Sequence, residues 1–190
     1  MSFQDCYSLI KQDIGRFQKK TPSHYPLVIL RCLLSSPSFK ITFWMRIGKW
    51  LLSKNNYFAK LIIFFISIIH KHHQFETGIQ IQLKQNVGGG LFFPHFSCIV
   101  VSADSHIGEN CTIYQGVTIG SIRGKGNPYI GDNVVLCAHC AILGNVRIGN
   151  NVMIGAHAVV TKDIPDGAVV VGNPSKIINM NGEYHVNMYI

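Results

Sequence analysis

Residues 130–164 read IGDNVVLCAHCAILGNVRIGNNVMIGAHAVVTKDI, and their spacing decides the fold. Ile130, Leu136, Ile142, Ile148, Ile154 and Val160 stand six apart, and four places after each come Val134, Cys140, Val146, Val152, Ala158 and Ile164. All twelve positions are apolar in a chain that is 47% apolar, a coincidence of about one in ten thousand for a fixed phase. An α-helix cannot hold a six-residue register, because successive sixth positions rotate far round its axis. Short strands separated by turns can. A glycine follows the aliphatic residue in IGDNVV, IGNNVM and IGAHAV, as expected where a corner needs unusual backbone or close packing. Three six-residue sides make one triangular coil, so the stretch predicts a parallel β-solenoid.

The register continues upstream. Val101, Ile107, Ile113 and Ile119 share one phase, with Cys111 and Val117 four places on, and Ile81, Val87, Phe93 and Ile99 hold an earlier one. Two slips interrupt it: two residues between Ile99 and Val101, and an insertion between Ile119 and Ile130 that carries Ser121 to Tyr129. Insertions in a solenoid become surface loops. Residues 77–179 are therefore read as the β-helix domain and 180–190 as a C-terminal tail.

Residues 1–76 read differently, as a helical segment. Helix starts are expected near Ser2 and at Ser36, where Pro37 fills the first helical position, with a break around Thr21 to Pro26. Residues 1–75 hold eleven Lys/Arg against Asp5 and Asp13, net +9, whereas 76–190 hold six against seven, net −1. The basic charge thus belongs to the helices. From Phe39 to Lys71, Trp44, Trp50, Phe58, Phe64 and Phe65 sit among aliphatics with Lys40, Arg46, Lys49, Lys54, Lys60 and Lys71 interspersed. That composition suits either an interfacial helix pair at the inner membrane leaflet or a stripe packed on the rest of the protein or a sister subunit. No nucleic-acid partner is expected. The apolar run Leu61 to Ile69 falls short of the roughly 20 residues of a spanning helix. Six scattered cysteines and an opening without an apolar signal stretch point to a reducing cytoplasm rather than a disulfide framework.

With these residues in place, the chain resembles the left-handed β-helix, hexapeptide-repeat acyltransferases, and within them the serine acetyltransferase-like branch. The resemblance runs from about Thr77 to Asn179. TGIQIQLKQNVGGGLFFPHFSCIVVSADSHIG lies without gaps on the corresponding stretch of serine acetyltransferases, and VTKDIP followed by VVGNPSKII looks like the family's closing signature. The resemblance implies a mainly β, left-handed parallel β-helix with an N-terminal helical segment, assembled as a homotrimer with sites in clefts between subunits. It implies acetyl-CoA as co-substrate and places a general base at His95. Such a base is what the chemistry asks for, since a hydroxyl must lose its proton as it attacks a thioester, and imidazole titrates near working pH. Galactoside-type relatives carry their histidine in the inserted loop, but here the loop reads SIRGKGNPY and has none.

Three departures bear on the acceptor. Serine acetyltransferases usually carry Asp where Gln80 lies, orienting the histidine, Asp where Pro94 lies, and a second histidine where Asn127 lies. Gln80 can hold an imidazole N–H through its amide oxygen, without a carboxylate's charge. Lacking the groups that grip an amino acid, the chain is expected closest to the sugar O-acetyltransferases of capsule, O-antigen and exopolysaccharide synthesis, whose acceptors are often lipid-linked. Serine itself is the alternative acceptor. For the donor, the resemblance maps small edge residues to Ala138 and Ala156, and the closing contacts to Thr161, Lys162 and Lys176; small side chains let a slender chain lie against backbone, and lysines meet phosphates as point charges.

Rival readings use the same residues. CAHC, Cys137 to Cys140, has no second pair to complete a four-ligand site, and Cys140 falls on an inward register position. His106, His139 and His157 bring to mind β-helical carbonic anhydrases but lack their close histidine pair, so no metal is expected. HKHH, His70 to His73, reads as a helix cap or a solvated run. A non-catalytic trimeric scaffold is the third possibility, because fold alone does not fix function.

Overall fold

The structure is a computed structural model that describes residues 1–17, 22, 24–54 and 56–189. Four helices precede the solenoid: α1 (Phe3–Gly15), α2 (Tyr25–Ser35), α3 (Pro37–Leu52) and α4 (Tyr57–Thr77). Both expected starts are caps. The Ser2 hydroxyl accepts from Asp5 N–H while the Asp5 carboxylate accepts from Ser2 N–H, and the Ser36 hydroxyl accepts from Phe39 N–H with Pro37 in the first turn, satisfying donors that a helix start leaves orphaned. The break precedes Tyr25; Thr21 lies outside the described residues. Asn56 caps α4, and Gly78 ends it at φ +70°, the left-handed C-terminal geometry that glycine adopts without strain. A Cβ there would also stand 3.0 Å from Cys98 N, so the same glycine lets the helix meet the first coil closely.

The expected left-handed parallel β-helix follows. Strands Ile79–Gln80, Ile99–Val101, Thr118–Gly120, Ala141–Leu143 and Val159–Val160 stack into a first face; Asn86–Val87, His106–Ile107, Tyr129–Ile130 and Arg147–Ile148 into a second; Thr112–Ile113, Val135–Leu136, Met153–Ile154 and Val169–Val171 into a third. Pairing is parallel until Lys176–Asn179 returns antiparallel on Val169–Val171. The register residues Ile130, Leu136, Ile142, Ile148, Ile154 and Val160 are all fully buried. One corner carries an asparagine ladder, Asn110 donating to Asn133 and Asn133 to Asn151, each 3.1 Å, with all three near φ +55°, a region asparagine tolerates better than most residues.

The two-residue slip lies earlier than expected. Phe92 bridges to Thr112, twenty residues on, whereas Val100 pairs with Thr118, eighteen on. The excess therefore falls after Phe93 and before Ile99, and Ile99 and Val101 are both inward residues of one strand. The sequence misplaced it because a strand's two inward positions stand two apart, so either reads as the start of a new phase. The loop between Gly120 and Tyr129 is the surface insertion expected.

The helices are not a separate body, since Ile41 and Met45 of α3 join the solenoid core. Arg46, fully buried, donates to both Asp13 oxygens at 2.9 and 3.1 Å and to the carbonyls of Val87 and Gly88, while Asp13 accepts from Leu91 N–H at 3.0 Å. Burial pushes the Asp13 carboxyl upward and the Arg46 charge pulls it back. Three residues of the basic, aromatic stretch are engaged within the chain: Arg46 binds Asp13, Lys49 donates to the Gln85 carbonyl, and Trp50 packs edge-on against Phe3. HKHH is likewise no simple cap, because His70 is buried and its Nε2 donates to the Ile81 carbonyl at 2.8 Å. Among the described residues no helix is long and apolar enough to cross a membrane.

Candidate active site

His95 sits on the two-residue excess of the first coil. Because Phe93 and Ile99 on either side are inward and buried, the extra residues have no place in the wall, and the bulge carries His95 outward, exposed, with half-buried Pro94 before it. Its ring faces Tyr114 at 6.0 Å between centroids, and Tyr114 in turn meets Tyr189 edge-on at 6.2 Å. Burial raises the Tyr114 hydroxyl, with Tyr189 and Cys137 adding to the effect, so it stays a neutral phenol able to donate.

The corner below His95 is a column of tight turns. Gly116 N–H donates to the Ser97 carbonyl, His139 N–H to Gln115 and His157 N–H to Ala138. Ala138 and Ala156 thus occupy equivalent places one coil apart, directly before His139 and His157, whose rings stack at 5.1 Å and 6°. At the foot the chain turns through Gly172–Ser175, bound to Val159 through its carbonyl and N–H ends, and Lys176 lies beside it, exposed, opposite Val171. One edge therefore holds His95, Ala138, Ala156 and Lys176. Two small side chains, Ala138 and Ala156, stand on it one coil apart, and small residues let a slender chain ending in phosphates lie against backbone.

The remaining expected residues lie elsewhere. Strand Ile99–Val101 separates the His95 corner from the next, where Ser102 Oγ donates to Asn127 Oδ1 at 2.6 Å. Thr161 and Lys162, exposed, follow Val159–Val160 at that same second corner. Gln80 stands exposed on the first face beside Val100, and among the described residues no hydrogen bond joins it to His95. Within one chain the residues expected to hold the donor are thus split between two edges of the first face, with His95, the expected base, on one of them.

Sequence reasoning missed Tyr114, Tyr189 and Arg16. Tyr114 follows inward Ile113 and so falls at the corner with Pro94, a placement the register contains once the slip is correctly located. Tyr189 reaches the site because α5 (Gly182–Val186) folds back on the third face, Gly182 N–H donating to Gly167 at 2.8 Å. Arg16 ties this tail to the first coil, donating to the carbonyls of Gly90 and Tyr189 and to Thr112 Oγ1. The rival sites have their own partners. Burial pushes Cys140 and Cys137 up, so both are neutral thiols, poor metal ligands in that state. His106 lies on the second face against Asn86 and Tyr129, apart from the His139–His157 pair.

Residues 127–162 match the family described as bacterial transferase hexapeptide (six repeats). The chain is 42% identical to a serine acetyltransferase of Staphylococcus xylosus over 118 residues, 60% of this chain and 55% of that one, and 33% identical to one of Bacillus pumilus over 130 residues, 67% and 60%. It spans little more than half the length of these curated relatives. Among solved structures, a Neisseria gonorrhoeae serine acetyltransferase in complex with serine superposes with a TM-score of 0.74 at 28% identity, over 94% of this chain and 71% of that one. These matches give no support to the expected nearness to sugar O-acetyltransferases. Residues 127–162 of the solenoid thus match the hexapeptide repeats of bacterial transferases, and the proteins the chain is similar to here are serine acetyltransferases.

Proposed function

We propose that the chain is an acetyl-CoA-dependent O-acetyltransferase whose general base is His95 and whose first acceptor is serine. The observation that carries this reading is the edge on which an outward-thrust histidine stands above two small corner residues, Ala138 and Ala156, and a lysine, Lys176. Acetyl-CoA would supply a thioester carbonyl, its arm held along that edge. His95 then takes the proton of the acceptor hydroxyl as the oxygen bonds to that carbonyl. Backbone N–H groups hold the oxyanion. On collapse the carbon–sulfur bond breaks, and the proton on His95 passes to the departing thiolate.

The split of donor residues between two edges supports a trimer in which Thr161 and Lys162 of one copy meet the His95 edge of its neighbour, in a closed ring. The names of the relatives support serine. A second reading, a sugar hydroxyl on a glycan or its lipid-linked precursor, is favoured by the neutral Gln80, Pro94 and Asn127 at the positions where an amino acid would be gripped. Incubation with labelled acetyl-CoA and either free serine or a panel of nucleotide and lipid-linked sugars separates them. O-acetylserine formation supports the first reading; label on sugar alone supports the second. Calorimetry that finds no acetyl-CoA binding would leave the scaffold reading instead.

A further inference from the structure

Helix α4 is apolar on two opposite sides. Ala59, Ile66 and His70 face the protein, while Tyr57, Phe58, Leu61, Phe64, Phe65, Ile68 and Phe75 face outward, each more than half exposed. The outward positions recur at three- and four-residue spacing, so they form one continuous stripe along the helix. A shallow groove of about 480 Å³ between Phe64, Ile68 and Phe75 runs along it, with Lys71 and His72 on its rim. Patches of this kind on soluble proteins mark contact surfaces.

Charge selects the partner. Lys60 and Lys71 flank the stripe on one side of the helix, and Lys54 stands exposed before its start. From Ile14 to Phe75 the sequence contains no Asp or Glu, and Glu76 is already engaged by His73 at 2.8 Å and Lys40 at 3.8 Å. An antiparallel two-fold contact between the stripes of two copies would bring lysine rows together with no carboxylate of the stripe between them. We propose that the outward stripe of α4 docks on an anionic lipid surface, its aromatic and aliphatic side chains entering the interfacial layer and Lys54, Lys60 and Lys71 meeting lipid phosphates. Aromatic rings beside lysine stems suit that layer, since the stems lie along apolar surface while the ammonium groups reach outward. Lys60 and Lys71 already lie over the rings of Tyr57 and Phe75 at 5.8 and 5.0 Å.

The test is sedimentation of the full chain with vesicles of phosphatidylcholine alone or mixed equally with phosphatidylglycerol, at low and high salt. Binding to the anionic vesicles is expected, and each lysine at the surface contributes about fivefold to partitioning at low salt. Joint Phe64→Ser and Phe65→Ser substitution should weaken binding at least tenfold at both salt levels. Joint Lys60→Glu and Lys71→Glu substitution should weaken it at low salt and much less at high salt. Phe65→Trp should add a blue-shifted emission on vesicle addition, relative to the unsubstituted chain. The proposal is overturned by absence of anionic-vesicle binding, by binding that both pairs leave within twofold, or by stripe variants that change the oligomeric mass without changing vesicle binding.

Discussion

Asp13→Asn removes one charge from the joint between helices and solenoid and leaves every other group in place. Arg46 is fully buried, and its guanidinium has four partners: two oxygens of Asp13 and the carbonyls of Val87 and Gly88. Asparagine keeps one acceptor oxygen but turns an NH2 donor toward the guanidinium in place of the other, so the buried positive charge of Arg46 is left without a counter-charge. Breaking a buried ion pair from one side costs about 3–5 kcal/mol, and for a chain of this size each kcal/mol lowers the melting midpoint by about 2–4 °C, so a fall of about 10 °C is expected. Thermal unfolding followed by circular dichroism reads it. Replacing both partners together, Asp13→Leu with Arg46→Met, should recover part of the loss, because two apolar groups need no compensation. Recovery stays incomplete, since Val87 and Gly88 lose their donor, and an unsatisfied buried carbonyl costs about 1–3 kcal/mol. A fall of less than about 1 kcal/mol for Asp13→Asn would refute the view that this pair locks the helices to the Gly88–Gly90 loop leading to His95.

Two further outcomes follow from the joint and the coil stack. Burial lowers the His70 imidazole, with the Ile81 carbonyl opposing; the unfolded chain therefore takes up a proton that the folded one refuses, and stability should fall as pH drops below about 6.5. Urea midpoints across pH 5 to 8 read that slope, and His70→Gln, which keeps a donor for Ile81 but does not titrate, should flatten it. Gly88→Ala would place a Cβ 2.7 Å from the backbone of Gly108 and Glu109; neither can yield without moving the next coil, and a loss on the order of 1–3 kcal/mol is expected in chemical denaturation.

How far the sequence speaks differs along the chain. Ile130 to Ile164 announces its coils because the inward positions are apolar and no insertion interrupts them. Elsewhere polar residues hold inward positions: Gln85 is buried in the first coil, donating to the carbonyls of Ser102 and Ser105, and Ser105 is buried in the next. There the pattern weakens, and the sequence alone puts the slip on the wrong side of Ile99. His95 is legible as a candidate but not as a bulge, which depends on where the excess falls. The roles of Arg46 and His70 were hidden, since a lone arginine among lysines and a histidine in HKHH carry no local mark of burial. Tyr189 lies seventy-five residues from Tyr114, and only the folding back of the tail joins them.

The central claim is that His95 supplies the base for acyl transfer, and turnover measured beside donor binding in His95→Ala tests it most directly. Loss of a general base lowers turnover by roughly 10²-fold or more, while acetyl-CoA affinity by calorimetry should stay near that of the unsubstituted chain, because the edge proposed for the donor lies beneath the histidine. Near-normal turnover with acetyl-CoA and the accepted hydroxyl in His95→Ala would contradict the account.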